Sequence, residues 1–406
     1  MKYEKLFSPI KLGRLQLKNR IVFPAVSTQY GTLDPHGYVT DKSLKWYDMV
    51  SKGGVGMIVI EAVGVHDRPS GHLLRLKNDS YTEGFKKIVD TIHKNGVPCG
   101  VQLVHWLSVS HKYRNEPTTI DVKEIKEITE QYVAAAKRCY AAGVDFVQLH
   151  AAHAYSLASF LSPAANRRTD EYGGNNKKRA KIVVDTIAAI KKECGQDALV
   201  TCRINGEDFT PGGVTNAHAV EYAKLLEEAG CFYLDVSVGG RYEDGEWYSG
   251  YSGQRCIPPR EYPEMCNLYA MENVKKAVKI PVQGVGRIPM PDVAEKIAAE
   301  NRVDLVGVCR AIIADPEWPN KAREGREKEI QKCIYCCHCI DTQRHFTPLS
   351  CAVWPKDGLK GDKDFIYVPI PADSKWAPVV TYDKIPYAGK GSIYVPHIEH
   401  FPARDK

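Results

Sequence analysis

No apolar run in the sequence approaches the roughly 18 residues that a membrane-spanning helix needs. The first residues, MKYEKLFSPIKLG, lack the apolar core of a signal peptide. The formal net charge of +6 is small for 406 residues and is spread along the chain, unlike the basic patch of a nucleic-acid-binding surface. We therefore expect a cytoplasmic protein that binds neither membranes nor nucleic acid, although the mild positive charge permits an anionic ligand.

The spacing of the thirteen cysteines does not indicate a disulfide framework. Eight of them are scattered singly, several inside apolar runs, as is typical of reduced cysteines. These eight are Cys99, Cys139, Cys194, Cys202, Cys231, Cys256, Cys266 and Cys309. The other five lie close together in CIYCCHCIDTQRHFTPLSC (333–351) and need a separate explanation.

Short apolar runs alternate with amphipathic segments over most of the chain. Each run has the length and composition of a buried parallel strand. The runs occupy residues 20–26, 56–63, 98–105, 145–152, 198–205, 231–238, 281–287 and 303–310. Strand–helix alternation repeated eight times predicts an α/β fold, specifically a (β/α)8 TIM barrel, with a doubly wound parallel sheet as the alternative.

The composition changes after the last strand–helix unit. Residues 1–325 are predicted to form the barrel, and residues 326–355 a cysteine-rich segment. Residues 356–406 are rich in proline, tyrosine and lysine and show little periodicity. We expect them to form an extended tail that packs on the barrel or on a partner subunit.

Polar side chains follow several apolar runs at the point where a strand is expected to end. Gln102, His150, Arg203 and Arg310 lie at or just past such an end. In TIM barrels the active site is built at the C-terminal ends of the strands. The barrel interpretation therefore predicts that these four side chains contribute to one site.

The segment QLHAAHAYSLASFLSPAANRRTDEYGG (148–174) carries candidate catalytic residues, His150, His153 and Tyr155. Imidazole N–H groups can polarise a carbonyl oxygen, and a nearby phenol can deliver a proton to carbon. The alternatives are a pair of structural histidines or a zinc site. The sequence places no carboxylate beside the two histidines, and a tyrosine follows them, which weighs against zinc.

The segment resembles the Old Yellow Enzyme family of FMN-dependent ene-reductases, in which a strand-end His-x-x-His/Asn-x-Tyr precedes FLSP…N.RTDEYGG. The resemblance covers about residues 5 to 350 and includes LFSPIKLGRLQLKNRIVFPAVST and DLVGVCRAIIADPEWPNKAREGR. It implies an FMN across the top of the barrel. It also implies that His150 and His153 bind the substrate carbonyl and that Tyr155 is the proton donor.

The same resemblance implies a set of flavin-binding residues. Gln102 would hydrogen-bond the pyrimidine edge of the flavin, and Arg203 would place its charge near N1 and O2, where negative charge collects on reduction. Barrels often bind phosphate in the loops after strands seven and eight. The implied set is Pro24, Ala25, Ser27, Ala62, Gln102 and Arg203, with Gly286, Arg287, Cys309 and Arg310 around the phosphate.

Four features depart from the family pattern. Trp106 and Leu107 stand where small and basic residues are usual, Cys309 replaces a glycine, and Gln148 replaces a glutamate. The loop after the sixth run, GGRYEDGEWYSGYSGQRC (239–256), is long and aromatic. These changes imply a reshaped, more apolar pocket, although the loop also suits ordinary surface packing.

The clustered cysteines resemble those of an iron–sulfur subgroup of this family, which includes 2,4-dienoyl-CoA reductase and trimethylamine dehydrogenase. The subgroup pattern is C-x2-C-x3-C-x11-C, and this chain has Cys333, Cys336, Cys339 and Cys351 with one residue fewer in the middle gap. The resemblance implies a [4Fe–4S] cluster with either Cys337 or Cys339 as the third ligand. Four thiolates also suit zinc, and disulfides are a more distant alternative.

The resemblance implies hydride transfer from FMN to a C=C bond conjugated to a carbonyl. The iron–sulfur subgroup and the more apolar pocket favour an enoyl- or aryl-CoA thioester as substrate. Arg241, Arg255 and Arg260 are candidate contacts of the CoA phosphates, with ordinary surface arginines as the alternative. The tail contains no G-x-G-x-x-G fingerprint of a dinucleotide-binding domain. We therefore expect an external donor protein or a partner subunit to reduce the cluster, and a second flavin at an interface is a further option.

Two other functions fit the sequence. The first is an amine dehydrogenase of the trimethylamine type, in which Trp106, Trp247, Tyr248 and Tyr251 would enclose the cation. The second is a zinc-stabilised, non-catalytic subunit for electron transfer or scaffolding. The family also implies a homo-oligomer.

Overall fold

The eight apolar runs form eight parallel strands that close into a barrel. The computed structural model describes residues 2–33, 36–66, 71–107, 116–240 and 251–369, apart from the side chain of Arg344. The barrel strands are β3 (Ile21–Phe23), β4 (Met57–Gly64), β5 (Cys99–Val104), β6 (Phe146–Ala151), β7 (Val200–Asn205), β8 (Leu234–Ser237), β9 (Val282–Val285) and β10 (Leu305–Gly307). They follow one another in chain order around the barrel, and β10 pairs with β3. The predicted TIM barrel is confirmed, and the doubly wound sheet is excluded.

Helices surround the barrel and pack their apolar faces against the strands. They are α1 (Asp41–Lys52), α2 (Thr82–His93), α3 (Val122–Ala141), α4 (Ser156–Leu161), α5 (Asn176–Cys194), α6 (Asn216–Glu228), α7 (Tyr251–Cys256), α8 (Leu268–Ala277), α9 (Pro291–Ala299), α10 (Arg310–Ala314), α11 (Trp318–Arg323) and α12 (His338–Arg344). Gly143 and Gly230 follow α3 and α6 with φ of 86° and 91°. This left-handed conformation ends a helix cleanly and favours glycine. No helix in the described ranges has the length and apolarity that crossing a membrane requires.

A hairpin that the sequence analysis did not predict precedes the barrel. Its strands are β1 (Ile10–Leu12) and β2 (Leu15–Leu17), and Gly13 takes φ of 56° in the two-residue turn between them. Its leucines join a separate apolar cluster with residues at the N-terminal ends of the barrel strands, such as Phe146 and Leu305. The hairpin thus closes one end of the barrel and leaves the C-terminal strand ends for a site.

The segment after the barrel packs back onto it as far as the structure describes it. Phe365 is fully buried and meets Trp46 of α1 and Trp354 in tilted or edge-to-face contacts. Lys45 of α1 pairs with Asp364, with 2.5 Å between Nζ and Oδ2. Part of the predicted tail is therefore anchored on α1, and residues 370–406 lie outside the described residues.

Candidate active site

The C-terminal ends of the strands surround an open cleft of about 960 Å³. The cleft is lined by every residue that the sequence analysis assigned to flavin binding or catalysis: Pro24, Ala25, Ser27, Ala62, Gln102, His150, His153, Tyr155, Arg203, Gly286, Arg287, Cys309 and Arg310. The fold thus brings together residues that are separated by nearly three hundred positions in the sequence.

The catalytic candidates leave β6 through a strained turn. His153 and Ala154 have φ of 60° and 64°, a left-handed conformation that non-glycine residues adopt at a cost of about 1–3 kcal/mol. The turn presents Tyr155 beside His150, with ring centroids 4.6 Å apart, and places His153 at 5.0 Å from His150. Strain of this kind concentrates at functional sites.

His153 is a neutral imidazole in this site. Burial moves the pKa of His153 well below its usual range, and the nearby Arg203 charge adds to the shift. The Ser237 hydroxyl lies 2.8 Å from His153 Nε2 and fixes the ring. Among the described residues, the two histidines share no third Cys, His, Asp or Glu ligand atom close enough for a metal, which weighs against the zinc alternative.

Two guanidinium groups occupy the end of the cleft formed by β9 and β10. Arg310 Nη1 donates to the carbonyl oxygen of Pro258 at 2.8 Å, and Arg287 Nη1 donates to that of Pro259 at 3.0 Å. Both groups also lie over the ring of Tyr335, at 4.6 and 4.5 Å from its centroid. This rigid cationic corner has the chemistry of a phosphate site.

Arg203 is the third cation of the cleft and is held from two sides. Its Nη1 donates to the carbonyl oxygen of Ala25 at 3.3 Å, and its Nε lies 2.9 Å from Asp235 Oδ2. Gln102 lies nearby and donates from Nε2 to Gln148 Oε1 at 2.7 Å. A flat ring that carries negative charge and hydrogen-bonding atoms along one edge would match the charge of Arg203 and the amide of Gln102.

A family model described as "NADH:flavin oxidoreductase / NADH oxidase family" matches residues 5–329. The chain belongs to this family. It is the Old Yellow Enzyme family of FMN-dependent oxidoreductases, so the predicted resemblance is confirmed. The cleft residues fit FMN, since two arginines suit its phosphate and Arg203 with Gln102 suit the polar edge of its ring.

Individual relatives carry diverse activities. The chain is 36% identical to the NADH oxidase of Thermoanaerobacter brockii, over 88% of this chain and 57% of that protein. It is 32% identical to the metal reductase of Desulforamulus reducens (strain ATCC BAA-1160 / DSM 100696 / MI-1), over 88% of this chain and 54% of that protein. The chain therefore spans about half the length of these curated relatives.

Two solved structures of long family members superpose well on this chain. One is 2-naphthoyl-CoA reductase in complex with 2-naphthoyl-CoA, with a TM-score of 0.79 and 28% identity over 87% of this chain and 57% of that one. The other is histamine dehydrogenase from Rhizobium sp. 4-9, with a TM-score of 0.76 and 27% identity over 88% of this chain and 53% of that one. One of these neighbours is thus named as a reductase of a CoA thioester and the other as a dehydrogenase of an amine.

The cysteine-rich segment folds over the end of the cleft that contains Arg287 and Arg310. Tyr335, Ile340 and Gln343 from this segment line the cleft, although the sequence analysis did not assign them. They reach it only through tertiary folding, so no local signal marked them. Ser237 was also not predicted. It ends a predicted strand, so the rule that active-site residues lie at the C-terminal ends of barrel strands could have identified it.

The sulfurs in this segment are reduced, and the candidate ligands are at least partly buried. Burial raises the pKa of the Cys351 thiol to about 12 and that of Cys339 well above its usual range, and neighbouring cysteines add to both shifts. Thiols brought together in this way become thiolates when a metal centre supplies positive charge. The donor set therefore fits a metal cluster.

The sulfurs of this segment are not arranged as a tetrahedral zinc site in the described structure. A tetrahedral zinc site with Zn–S bonds of about 2.3 Å places its sulfurs about 3.8 Å apart. In the part of the chain that the structure describes, no three of these sulfurs lie within 4.8 Å of one another. Cys337 Sγ instead lies 3.6 Å from Arg310 Nη1 and 3.9 Å from the carbonyl oxygen of Ile257, so it faces the barrel.

The residues proposed for substrate contacts divide into described and undescribed positions. Trp106 is buried beside Tyr155 and Ala62 in a small apolar cluster, but it is not among the residues that line the cleft, so the more apolar pocket stays a prediction. Arg255 is buried over the ring of Phe209, at 4.2 Å from its centroid, so it does not reach a CoA phosphate at the mouth. Its expected role is therefore wrong.

The other candidate substrate contacts lie at the surface, in the interior or outside the described residues. Arg260 is exposed, and Tyr251 is buried. Arg241, Trp247 and Tyr248 lie outside the described residues.

A buried carboxyl group, Glu61, supports the wall of the cleft next to Ala62. Its Oε2 accepts a hydrogen bond from the backbone N–H of Thr28 at 3.0 Å, and its Oε1 accepts one from the Thr28 hydroxyl at 2.7 Å. Burial raises the pKa of Glu61 to about 7, against the opposing effect of hydrogen bonds from Thr28 and Tyr47. Folding thus favours the protonated form.

Glu61→Gln is expected to change the pH dependence of stability. Because the folded pKa lies above the unfolded one, the contribution of Glu61 is fully present below about pH 4 and is lost as pH rises through about 7. The free energy of unfolding of the variant, relative to wild type, should rise by about 3 kcal/mol between acid and weakly alkaline pH. Denaturant titrations at both ends of this range measure it. The exposed Glu83→Gln serves as control, and an equal rise there would contradict the assignment.

Proposed function

We propose that this chain is the FMN-binding part of an iron–sulfur flavoenzyme that reduces a C=C bond conjugated to a carbonyl. The substrate class that fits best is an aryl- or enoyl-CoA thioester. The observation that carries the proposal is the placement of His150, His153 and Tyr155 in the same cleft as Arg203 and the cationic phosphate corner. This arrangement supplies carbonyl binding, proton donation and flavin binding on neighbouring strand ends.

FMN supplies the hydride when it is bound. His153 would stabilise the developing enolate oxygen by donating a hydrogen bond from the ring nitrogen that does not face Ser237, which holds the ring through Nε2. His150 lies between His153 and Tyr155 and provides the second contact to that oxygen. Tyr155 holds the proton that the α-carbon receives. A carbonyl is required because an isolated alkene offers no atom on which this charge can collect.

The residues that remain for the substrate favour a carbonyl over an amine. Among the described residues that line the cleft are three arginines, Arg203, Arg287 and Arg310, all assigned to FMN, but no aspartate or glutamate that could pair with a cationic amine. His150 and His153 are instead hydrogen-bond donors suited to a carbonyl oxygen. The similarity to 2-naphthoyl-CoA reductase supports the aryl-CoA class, and the similarity to histamine dehydrogenase keeps amine oxidation as the second candidate.

Cys333, Cys336, Cys339 and Cys351 would hold a [4Fe–4S] cluster, which transfers single electrons when present. We assign the third ligand to Cys339 because Cys337 faces Arg310 and Ile257 on the barrel. The cluster segment also contributes Tyr335 to the flavin cleft, so the two sites share a wall. Electrons would come from an external donor protein or a partner subunit. A homo-oligomer and a second flavin at an interface remain predictions.

The substrate class is tested by two anaerobic titrations of the flavin-loaded protein. Reduced protein is mixed with 2-naphthoyl-CoA or an enoyl-CoA, and oxidised protein is mixed with histamine or a methylated amine. We expect the thioester to restore the visible absorbance of oxidised flavin and the amines to leave the oxidised spectrum unchanged. Bleaching by an amine, without reoxidation by any thioester, would contradict the proposal and favour the dehydrogenase.

A further inference from the structure

Asp235 on β8 is a buried carboxylate for which the proposed chemistry has no use. It is fully inaccessible to solvent and lies below the cleft. Its Oδ2 is 2.9 Å from Arg203 Nε and also accepts a hydrogen bond from Gln148 Nε2 at 3.3 Å. A buried carboxylate at this position controls two of the groups that face the flavin, by a different route for each.

The first route fixes the orientation of an amide. Asp235 Oδ2 is a hydrogen-bond acceptor, so Gln148 presents its Nε2 to it at 3.3 Å and also to the Tyr233 hydroxyl at 3.2 Å. Gln148 Oε1 is then the acceptor for Gln102 Nε2, at 2.7 Å. Gln102 therefore has its Oε1 available for the cleft that it lines, where the N3–H of a flavin ring is a matching donor. An asparagine in place of Asp235 offers Gln148 both a donor and an acceptor, so the amides of Gln148 and Gln102 would no longer be held in one orientation.

The second route is electrostatic. Arg203 and Asp235 are both buried, so their interaction is weakly screened. The carboxylate offsets part of the positive charge that Arg203 directs toward the cleft. Negative charge accumulates on a flavin ring when it is reduced, so the offset makes reduced flavin less favourable relative to oxidised flavin.

We propose that Asp235 is a positioning residue that orients Gln102 through Gln148 and lowers the reduction potential of the bound FMN by offsetting Arg203. The proposal rests on family membership and the FMN site, and it is independent of the substrate and of the iron–sulfur cluster. It concerns the equilibrium between oxidised and reduced flavin. It can therefore fail while the proposed reductase activity stands, and the converse also holds.

The test is the midpoint potential and the FMN affinity of Asp235→Asn. We expect the ratio of reduced-FMN to oxidised-FMN affinity to rise about tenfold, which is an upward shift of about 30 mV for a two-electron couple. Asp315→Asn is the matched control, since Asp315 is also a buried carboxylate, but its partner Lys321, at 2.7 Å, does not line the cleft as Arg203 does. The control should leave the potential at the wild-type value.

Gln148→Glu and the double variant Asp235→Asn/Gln148→Glu extend the test. Gln148→Glu places a second carboxyl group beside Asp235. Because two buried carboxyl groups in contact share a proton, this variant keeps one negative charge and should change the potential much less than Asp235→Asn. The double variant moves the negative charge across the barrel interior, keeps the acceptor for Gln102 Nε2, and should bring the potential back toward wild type. If Asp235→Asn does not fold, Asp235→Ser, which removes the same charge with a smaller side chain, takes its place. A potential that is unchanged in every flavin-loaded variant, or that shifts equally in Asp315→Asn, would overturn the proposal.

Discussion

Tyr155→Phe is expected to slow C=C reduction by about 10²–10⁴-fold, the usual contribution of a positioned general acid. The ring would keep its place against His150 and in the apolar cluster with Trp106 and Ala62, because only the hydroxyl is removed. The loss should therefore fall on proton delivery to the α-carbon, with little change in flavin binding.

Separate measurement of the two half-reactions isolates this effect. Reduction of the flavin by a chemical reductant should proceed at the wild-type rate in Tyr155→Phe, whereas reoxidation by the thioester should show the whole loss. Tyr172→Phe is the matched control, since Tyr172 is a buried tyrosine that does not line the cleft. Full reoxidation activity in Tyr155→Phe would remove Tyr155 from the role of proton donor while leaving the fold assignment intact.

Cys339→Ser is expected to abolish the iron–sulfur cluster, while Cys337→Ser should retain it. Cys339 is buried, and the charges of Cys351, Cys337 and Cys333 all act on it. Cys337 contacts Arg310 and the carbonyl oxygen of Ile257 on the barrel instead. Iron content should therefore fall from about four atoms per chain to near zero in the first variant only.

The two serine variants differ by a single oxygen-for-sulfur exchange, two residues apart, so each is the control for the other. Iron assays and the visible spectrum of anaerobically purified protein provide the measurement. Loss of iron in Cys337→Ser with retention in Cys339→Ser would reverse the ligand assignment. Retention in both variants would show that neither thiolate is required.

The barrel was predictable because buried parallel strands give short, uniformly apolar runs, and the chain repeats them at regular intervals. Boundaries were less accurate: the sixth run, 231–238, yields only Leu234–Ser237. The hairpin was missed although IKLGRLQL alternates apolar and polar residues around Gly13, which is a recognisable turn signal. Each of its strands has only three residues, so its signal is weaker than that of the longer apolar runs.

The residues that line the cleft were predictable because strand ends in a barrel meet at one face, and the family resemblance supplied the roles proposed for them. The residues that surround the cleft-lining ones were not predictable from the sequence. Asp235 and Gln148 lie inside apolar runs, and only the register of the closed barrel shows that they contact each other. Tyr335 reaches the cleft from a segment beyond the barrel, and the burial of Arg255 likewise depends on tertiary packing.

The central claim is that one chain holds both a flavin and an iron–sulfur cluster. The most direct test is an anaerobic visible spectrum of the purified wild-type protein, with iron, zinc and acid-released FMN assayed on the same sample. We expect FMN together with about four irons per chain and no stoichiometric zinc. Flavin with zinc and without iron would contradict it, because the cysteine-rich segment would then be a structural clip and the electrons would have to arrive by another route.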